Sequence, residues 1–376
     1  MSYNLWNDCP KVPITELLSF IVDNRGKTVP TAEKGHKLIA TNCVTNNTLF
    51  PVYEKVRYLS EETYQNWFRA HPLPGDILFV NKGTPGRVCM VPDPVDFCIA
   101  QDMIALRADD SKVYNKYLFA VLRSNVIQQQ IYNTNVGDVI PHFKKQFMDQ
   151  LLIPVPDRKI QEAIGDLYYT LSYKTEINKK INDNLQQQAQ AIYVSMFINN
   201  ADPTWEQGHL SDFITVRYGK DHKKLAGGIY PVYGSGGIMR YVERPLYDKE
   251  SVLIPRKGTL NNVMYVNQPF WSVDTMFYTE MRLPNVAKFV YHFVKAKDLA
   301  SMNAGSAVPS MTTDILNAME VAIPSASALE EFEALVSPMY NAMQENDNQS
   351  ETLAKLRDAL LPKLMSGEID VSAIQL

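Results

Sequence analysis

The feature that most constrains this chain is an internal repeat. Four pairs of segments match in the same order along the sequence, namely residues 14–20 with 210–216, 77–84 with 252–259, 116–119 with 288–291, and 135–141 with 303–309. Repeated order of this kind is typical of a duplicated structural unit. The offset falls from 196 to 175 between the first two pairs. The sequence therefore predicts two copies of one module that differ most within residues 23–75 and 217–250.

Each copy is followed by about 40 residues with a helical hydrophobic pattern. The apolar positions keep a heptad spacing, at Ile160, Ile164, Leu167, Leu171, Ile181, Leu185 and Ile192 in the first stretch, and at Phe332, Val336, Met339, Met343, Leu353, Leu360 and Leu364 in the second. A straight helix of this length spans about 60 Å, which is longer than a small domain. We therefore expect the two helices to pair with each other, antiparallel, rather than each to pack only on its own module.

Polar residues interrupt both helical seams. Lys174 and Asn178 lie midway in the first, and Asn346 and Ser350 midway in the second. Polar seam residues cost stability but fix the register of paired helices. Pro362 lacks an amide donor and is expected to break or kink the second helix near Leu361, with Gly367 as its C-cap.

Short β-rich runs alternate with turn residues inside each copy, and a helical stretch follows them. The predicted class is α+β, with two tandem, pseudo-repeated α/β domains separated by two long helices that form an antiparallel coiled coil. The expected boundaries are a first domain at 1–157, a first helix at 158–199, a second domain at 200–326, a second helix at 327–366 and a tail at 367–376.

Charge is unevenly distributed along the chain. The formal net charge of -4 argues against a general polyanion binder. Nevertheless, residues 217–257 contain nine basic and four acidic residues, and residues 25–87 contain nine basic and five acidic ones, whereas residues 329–370 contain three basic and nine acidic ones. The two basic segments overlap the regions in which the copies differ. That pattern suits a reader of two unlike DNA half-sites, although ordinary divergence of surface loops predicts it as well.

Motifs for catalysis are incomplete. Residues 25–28 (RGKT) end like a phosphate loop, but Ile21 stands where its first glycine would be. Residues 234–237 (GSGG) lie between prolines, which favours a hairpin or a loop over a dinucleotide-binding turn. Residues 267–270 (NQPF) resemble the motif with which adenine methyltransferases hold a flipped base, but a glutamine replaces a proline and no glycine-rich cofactor loop precedes it. The sequence therefore predicts no catalytic site.

Histidine and cysteine patterns give no metal site either. The six histidines have no zinc-ligand spacing, and His142 and His292 are expected to be structural or phosphate-contacting rather than catalytic. The four cysteines all lie within the first 98 residues without a Cys-x-x-Cys pair, so we expect reduced, mostly buried thiols. The N-terminus lacks a basic segment followed by an apolar stretch, and no apolar run is long enough to cross a bilayer, so we expect a cytoplasmic location.

Binding chemistry is what the pattern favours. Residues 82–87 (KGTPGR) and 257–262 (KGTLNN) place glycine beside basic and amide side chains, which allows the backbone to approach phosphate closely. The alternative is a plain β-turn with solvated lysines. The candidate DNA-binding residues are Arg25, Lys27, Lys82, Thr84, Arg87, Arg217, Tyr218, Lys220, Lys223, Lys224, Arg256, Lys257, Asn261 and Asn262.

Several segments together resemble the specificity subunit of type I restriction-modification systems. The likeness covers nearly the whole chain. It is carried by residues 152–156 (LIPVP) leading to Gln161 and the helix over 177–197, by residues 230–234 and 254–258, and most specifically by the ending at 353–369 (LAKLRDALLPKLMSGEI). The start of the second helix departs from the family, because residues 324–330 lack the usual Pro-x-x-x-Gln run.

The resemblance implies a non-catalytic DNA-binding subunit whose two target-recognition domains each read one half of a bipartite, gapped site in double-stranded DNA. It implies that the paired helices set the gap, and that the partners are two methyltransferase subunits and, in a restricting system, motor-nuclease subunits. S-adenosylmethionine and ATP with Mg²⁺ would then belong to those partners, and this chain would hold no cofactor. The alternatives are an autonomous adenine methyltransferase that uses residues 267–270 and a coiled-coil adaptor without a DNA role.

Overall fold

A computed structural model describes residues 4–24, 26–134, 140–302 and 310–370 of the chain. Helices and strands are mixed, so the predicted α+β class is confirmed. The chain divides into two compact units, the first made of Met1–Ile181 with Glu345–Leu376 and the second of Asn182–Gln344. All four cysteines are free and buried, as predicted. Within the described ranges, no helix has the length and apolar character needed to span a membrane.

Each copy of the repeat contributes nine strands within the described residues. Those of the first copy are β1 (Lys11–Pro13), β2 (Leu18–Val22), β3 (His36–Ile39), β4 (Arg57–Leu59), β5 (Ile77–Val80), β6 (Val88–Met90), β7 (Phe97–Ile99), β8 (Met103–Ala108) and β9 (Leu152–Pro154). Those of the second copy are β10 (Gln207–His209), β11 (Ile214–Tyr218), β12 (Tyr230–Gly234), β13 (Gly237–Val242), β14 (Ser251–Pro255), β15 (Met264–Val266), β16 (Trp271–Ser272), β17 (Met276–Met281) and β18 (Glu320–Ala322).

Two of the helices are much longer than the others. The α-helices in the described part of the chain are α1 (Leu5–Asp8), α2 (Glu61–Asn66), α3 (Asn115–Leu122), α4 (Asn125–Asn133), α5 (Arg158–Val194), α6 (Leu210–Phe213), α7 (Ala287–Lys295), α8 (Thr313–Asn317) and α9 (Ala326–Ser366). A π-helical turn, Ser195–Asn199, extends α5. The domain boundaries proposed from the sequence remain a prediction, since the two compact units each take in parts of both long helices.

The sheets of the two copies have the same topology. The first copy contains sheets of order β2-β8-β5-β6, β4-β3-β7 and β1-β9, and the second contains β11-β17-β14-β15, β13-β12-β16 and β10-β18. In both three-stranded sheets the middle strand pairs antiparallel on one side and parallel on the other. The duplication seen in the sequence is therefore a duplication of strand order. The match of residues 135–141 with 303–309 falls largely outside the described residues.

Strand β5 is buried on both faces, which explains its continuous run of apolar residues. Ile77 and Phe79 point into one hydrophobic cluster, while Leu78 and Val80 point into another. Successive side chains of a strand face opposite sides of the sheet. The four-stranded sheet therefore carries a core on each face. In the second copy β14 divides in the same way between two clusters.

The copies differ most where β3 and β4 are connected. Residues 40–56 join those strands in the first copy, whereas only residues 235–236 join β12 to β13 in the second. Helix α2 follows β4, and the shorter connection of residues 243–250 takes the corresponding place in the second copy. The distance in sequence between matching segments falls from 196 to 175 residues mainly because these two connections are shorter in the second copy.

An ion pair links each copy to the long helix that follows it. Lys116 of α3 lies 2.6 Å from Asp166 of α5, and Lys288 of α7 lies 2.6 Å from Glu333 of α9. Lys288 is buried and also approaches Glu250 at 3.3 Å. A buried charge needs such a partner, because desolvation without one is costly. The matching lysines of segments 116–119 and 288–291 are therefore structural.

Helices α5 and α9 pack antiparallel within the first unit. The Arg357 guanidinium lies 5.6 Å from the ring centre of Tyr168, and further along α5 the Asn178 amide contacts Asn346, on an earlier turn of α9. Ile164 is buried, as expected for a seam residue, whereas Ile181 is exposed. Pairing of the helices is therefore confirmed, but the seam does not include every heptad position.

The same antiparallel order holds within the second unit. The Asn182 side chain donates to the Met343 carbonyl at 3.2 Å, and the rings of Tyr193 and Phe332 meet edge to face at 6.2 Å. Tyr193 and Phe332 belong to the core cluster of this unit. Both arrangements suggested by the sequence thus coexist, because the helices pair with each other and also pack on the sheets.

Pro362 was expected to break or kink α9, and the break is not found. The helix continues through it to Ser366 and ends at Gly367, whose φ of +75° confirms the expected glycine cap. A proline inside a helix removes one backbone hydrogen bond. The neighbouring Leu361, Leu364 and Met365 are buried in the core cluster of the first unit, and this burial offsets the loss.

Gly165 permits α5 to lie close against α3. A β-carbon at this position would come within 2.6 Å of the Tyr117 amide nitrogen. Glycine inside a helix costs about 1 kcal/mol relative to alanine. Close packing of the two helices is the physical reason for it here.

Asn178 is a buried polar residue at the helix seam. Its Nδ2 donates to the Asn346 carbonyl at 3.2 Å, to Gln349 Oε1 at 2.8 Å and to Ser350 Oγ at 3.1 Å. Its Oδ1 is buried and has no hydrogen-bond partner among the described residues. The amide is therefore only partly satisfied, while its donors hold one register of α9.

We expect Asn178→Ala and Asn178→Leu to change stability in opposite ways. The alanine variant leaves a cavity and should lower the free energy of unfolding by about 1–3 kcal/mol. The leucine variant replaces a partly satisfied amide by an apolar group and should unfold at the same or a higher urea concentration. Asn184→Leu, at an exposed position of the same helix, is the control and should change stability by less than about 0.5 kcal/mol. An equal loss in both Asn178 variants, measured by circular dichroism in urea, would contradict this account.

Candidate nucleic-acid interface

The Lys-Gly-Thr loop has the same conformation in both copies. It follows β5 in the first copy and β14 in the second, at the end of a central strand. Gly83 and Gly258 both have a φ of +87°, a region that residues with a side chain rarely adopt. The sequence match at residues 77–84 and 252–259 is therefore also a match of backbone geometry.

Backbone hydrogen bonds hold the two loops in the same way. The Lys82 amide donates to the Asp102 carbonyl at 3.3 Å, and the Lys257 amide donates to the Thr275 carbonyl at 3.2 Å. The carbonyl of the residue before each lysine accepts a further hydrogen bond. The Phe143 amide donates to the Asn81 carbonyl at 2.8 Å, and the Met311 amide donates to the Arg256 carbonyl at 2.9 Å. Each loop is thus fixed at its base, and its lysine projects from a rigid support.

The basic side chains of these loops face solvent without a counter-charge. Lys82, Arg87 and Lys257 are exposed, and none of them is in an ion pair within the described ranges. Lys27, in the segment after β2, is also exposed. Exposed, uncompensated cations on a rigid loop attract a polyanion. Arg25 lies outside the described residues.

Thr84 differs from its neighbours in the loop. Its hydroxyl oxygen is buried and has no hydrogen-bond partner in the part of the chain that the structure describes. The structure therefore places this hydroxyl inside the loop, away from the surface that Lys82 and Arg87 form.

Tyr218 and Arg256 form an exposed stack in the second copy. The Tyr218 ring is 52% exposed and packs edge-on against Phe277 at 5.1 Å. The Arg256 guanidinium lies 5.3 Å from the centre of the Tyr218 ring. Arg217, on the same strand as Tyr218, pairs with Glu280 at 3.0 Å, a hydrogen bond that raises its pKa. Of the two arginines, Arg256 keeps the less compensated charge.

The lysines after β11 extend from an anchored segment. The Lys220 amide donates to the Ser272 carbonyl at 2.8 Å, and the Lys220 carbonyl accepts from Trp271 Nε1 at 2.8 Å. Three side chains of this segment, those of Lys220, Lys223 and Lys224, are exposed. These cations lie on the same copy as the Tyr218–Arg256 stack and extend its positive surface.

Asn261 and Asn262 make contacts inside the protein. Asn261 Nδ2 donates to the Asp298 carboxylate at 2.9 Å, and its Oδ1 accepts from the Ala300 amide at 3.0 Å. Asn262 Nδ2 donates to the Ser235 carbonyl at 2.8 Å. These two amides therefore hold the loop in place, a role that their position in the motif did not indicate.

The β12–β13 hairpin is a surface that the sequence analysis missed. Its turn contains residues 234–237, which confirms the hairpin interpretation of that glycine-rich segment, and Gly237 has a φ of +110°. Ile238 and Met239 follow the turn and are 49% and 61% exposed. Two consecutive apolar residues directly after a glycine turn were the available signal. Exposed apolar side chains at a turn commonly mark a contact surface.

This hairpin lies directly beside the Lys-Gly-Thr loop. Ser235, in the hairpin turn, accepts the hydrogen bond from Asn262, and a β-carbon on Gly258 would come within 2.6 Å of Ser235 Oγ. The cationic loop and the apolar hairpin therefore form one continuous surface in the second copy. A two-stranded β-ribbon has the width that the major groove of DNA admits.

Neither histidine singled out from the sequence forms a catalytic group. His142 makes a backbone bridge with Lys82. His292 is fully buried, with Nδ1 2.7 Å from Gln190 Oε1 and Nε2 2.9 Å from the Tyr340 hydroxyl, and burial lowers its pKa to about 4. Within the described ranges, no group of three or more metal-ligating side chains is brought together.

Residues 267–270 do not form a base-binding motif. Phe270 is fully buried in the cluster around the three-stranded sheet, where its ring packs against Tyr233, Tyr247 and Tyr278. A ring held in the core is not available to stack on a flipped base. The likeness of this segment to a methyltransferase motif is therefore a coincidence of sequence.

Comparison with known proteins agrees with the duplicated architecture. The family model described as "Type I restriction modification DNA specificity domain" matches twice, at residues 27–187 and 203–349. The chain is 22% identical over 344 residues to the type I restriction enzyme MjaIX specificity subunit of Methanocaldococcus jannaschii, covering 80% of this chain and 79% of that protein. It is 20% identical over 407 residues to the type I restriction enzyme HindI specificity subunit of Haemophilus influenzae, covering 78% and 86%.

A solved structure shares the fold over almost the whole length. The crystal structure of the type I restriction-modification system S subunit from M. genitalium aligns with a TM-score of 0.57 and 19% sequence identity. The alignment covers 95% of this chain and 96% of that one. The fold of this chain is therefore also found in a crystallised protein.

Proposed function

Because this chain belongs to the family of type I restriction-modification specificity subunits, we propose that it binds double-stranded DNA and that each target-recognition domain reads one half of a bipartite, gapped site. A specificity subunit is non-catalytic by itself. The chemistry of methylation and cleavage then belongs to partner subunits.

The observation that carries this proposal is the duplicated Lys-Gly-Thr loop. Two rigid loops with the same backbone bonds and the same glycine φ present uncompensated lysines at corresponding places in the two copies. A shared scaffold would position both domains on DNA through phosphate contacts. The connections that differ between the copies, residues 40–56 and 235–236, would give the two half-sites different sequences.

In the second domain we assign phosphate contacts and base contacts to different residues. The exposed Lys220, Lys223, Lys224 and Lys257 contact phosphates, since an ammonium group on a flexible stem suits a point charge. Met239 contacts base edges from the hairpin, where an apolar side chain favours a thymine methyl group.

The partners in this proposal are two methyltransferase subunits, and motor-nuclease subunits in a restricting complex. The long helices α5 and α9 dock the methyltransferases and set the gap between the half-sites. S-adenosylmethionine and ATP with Mg²⁺ are bound by those partners, and the complex acts on DNA in the cytoplasm.

The start of α5 carries a contact that α9 lacks. Gln161 is buried, accepts from the Tyr114 amide at 2.8 Å and donates to the Pro156 carbonyl at 2.7 Å. Leu329 takes the corresponding place in α9 and is buried. Gln161 therefore joins the start of α5 to neighbouring backbone through two hydrogen bonds, whereas Leu329 makes only apolar contacts through its side chain at the start of α9.

A methyladenine map of genomic DNA tests the function directly. Cells that express this chain with its methyltransferase subunit are compared with cells that lack only this chain. We expect two short half-sites with a fixed gap to be methylated only when the chain is present. Replacing residues 200–326 by the corresponding domain of a relative should change one half-site and leave the other unchanged.

Two results would contradict the proposal. In the map, identical methylation with and without the chain would favour an adaptor without a DNA role. In a separate assay, methylation of duplex DNA by the purified chain with S-adenosylmethionine and no other protein would favour an autonomous methyltransferase.

Removing loop charges should weaken DNA binding without altering sequence preference. For Lys82→Gln and Lys257→Gln we expect lower affinity for every duplex. The slope of the logarithm of the binding constant against the logarithm of the salt concentration should be shallower by about one for each phosphate that the variant no longer neutralises. Fluorescence anisotropy of the complex with its methyltransferase, over a salt range of about 50 to 200 mM, measures both. Lys112→Gln is the control, because Lys112 is exposed but pairs with Asp109. A salt dependence equal to that of the unaltered complex would show that these lysines do not contact phosphate.

The length of the paired helices should determine the gap. Inserting four residues, about one turn and 6 Å of rise, into both α5 and α9 is expected to lengthen the gap and leave both half-sites as they were. Insertion into only one helix is the control and should abolish methylation by disrupting their pairing. Methylated sites with unchanged spacing after the double insertion would be inconsistent with this role.

A further inference from the structure

The first unit contains a pocket that the DNA-reading function does not use. Its volume is about 550 Å³, and it lies where the start of α4 meets the last turns of α9. Pockets of roughly 300–1,000 Å³ hold small organic ligands. The lining includes two arginines, several side-chain amides and an apolar part.

Arg123 is a buried arginine in this lining, and its hydrogen bonding is incomplete. It is 8% exposed, and its Nη2 donates to the carbonyls of Thr45, Thr48 and Val88. Nε and Nη1 have no hydrogen-bond partner among the described residues and are closed to solvent, so Arg123 acts on a ligand through its charge rather than as a donor. No ion pair found among the described residues includes Arg123. A buried guanidinium without a counter-charge is costly, because water no longer solvates it. The guanidinium lies 4.3 Å from the centre of the Phe119 ring, which offsets part of this cost. A negatively charged group near Arg123 would offset more of it.

Arg357 is the second arginine of the lining. It is 5% exposed and lies over the ring of Tyr168, which also lines the pocket. Its Nε donates to Asp358 at 2.8 Å, but the Asp358 side chain is 65% exposed and therefore well solvated. One solvated carboxylate thus faces two buried guanidinium groups, so the pocket has an excess of positive charge.

The start of helix α4 adds to this preference. Ser124 caps the helix and lines the pocket, and its Oγ accepts from the Ile127 amide at 3.4 Å. The N-terminus of a helix carries a partial positive charge and favours anions. It acts here together with the two buried arginines.

The rest of the lining suits the non-ionic part of a ligand. Trp6, Pro362 and Met365 supply apolar surface, and Asn46 and Asn125 supply amide groups. A flat or aromatic body would therefore find both stacking surface and hydrogen-bonding partners beside the charged end.

We propose that this pocket binds a small organic anion, with an oxyanion group beside Arg357 and the start of α4, attracted in addition by the charge of Arg123, and a flat body against Trp6 and Met365. The oxyanion is a phosphate or a carboxylate, since a guanidinium recognises both through the same planar pair of donors. The ligand joins the first recognition domain to the end of α9 within one unit. Its binding therefore stabilises that unit by mass action.

Calorimetric titration of the full-length chain at constant ionic strength tests this site. The probes are AMP, inorganic phosphate and citrate, each compared with chloride. We expect saturable binding with one site per chain. Tighter binding of AMP than of citrate identifies a phosphate ligand, and the reverse order identifies a carboxylate ligand; both support the site.

Charge variants separate the pocket from general attraction of anions. Arg357→Gln should weaken binding at least tenfold, and Asp358→Asn should strengthen it by a few fold because it removes the competing carboxylate. Lys355→Gln is the matched control, since it removes one positive charge from the same helix at a residue that pairs with Glu351 and does not line the pocket. Its affinity should equal that of the unaltered chain.

The proposal is overturned if no probe binds more tightly than chloride, or if Arg357→Gln binds as the unaltered chain does. Arg123 is not used as the test residue, because its carbonyl contacts hold the loop at Thr45 and Thr48. The outcome is independent of DNA recognition, which the methyladenine map measures separately.

Discussion

Each unit depends on apolar contacts between its sheets and turns of both long helices. In the first unit Ile164 of α5 and Leu364 of α9 belong to the same core cluster as Phe79 of the central strand. In the second unit Tyr193 of α5 and Phe332 of α9 do the same. The helices are therefore not connectors between finished domains. Burial of their apolar faces is part of what makes each domain fold.

The antiparallel pairing follows from this shared burial. A helix of about 40 residues has more apolar surface than its own module covers, so its remaining turns need another partner. Asn178 then selects one register, at the cost of a buried oxygen without a hydrogen bond among the described residues. The hydrogen bonds of Asn178 thus help to determine which turns of α5 and α9 lie opposite each other.

The features predicted correctly from sequence are those that depend on local pattern. The repeat, the two long helices, the cap at Gly367 and the hairpin at residues 234–237 all leave periodic or turn signals. The break that Pro362 could have caused is not found, because burial of its neighbours outweighs the missing backbone bond. The contacts of Asn261 depend on a segment almost 40 residues away. The pocket of Arg123 and Arg357 joins residues more than 200 positions apart, and no local pattern encodes that proximity.

The packing of α9 also bears on the order of the chain. Leu5, at the start of the described residues, shares a core cluster with Leu364 and Met365, near their end. The last turns of α9 thus pack against the first copy near its start, in the same way as the last turns of α5 pack against the second copy. Each copy is thus contacted near its start by the last turns of the long helix that follows the other copy, so neither copy completes its core from its own residues alone.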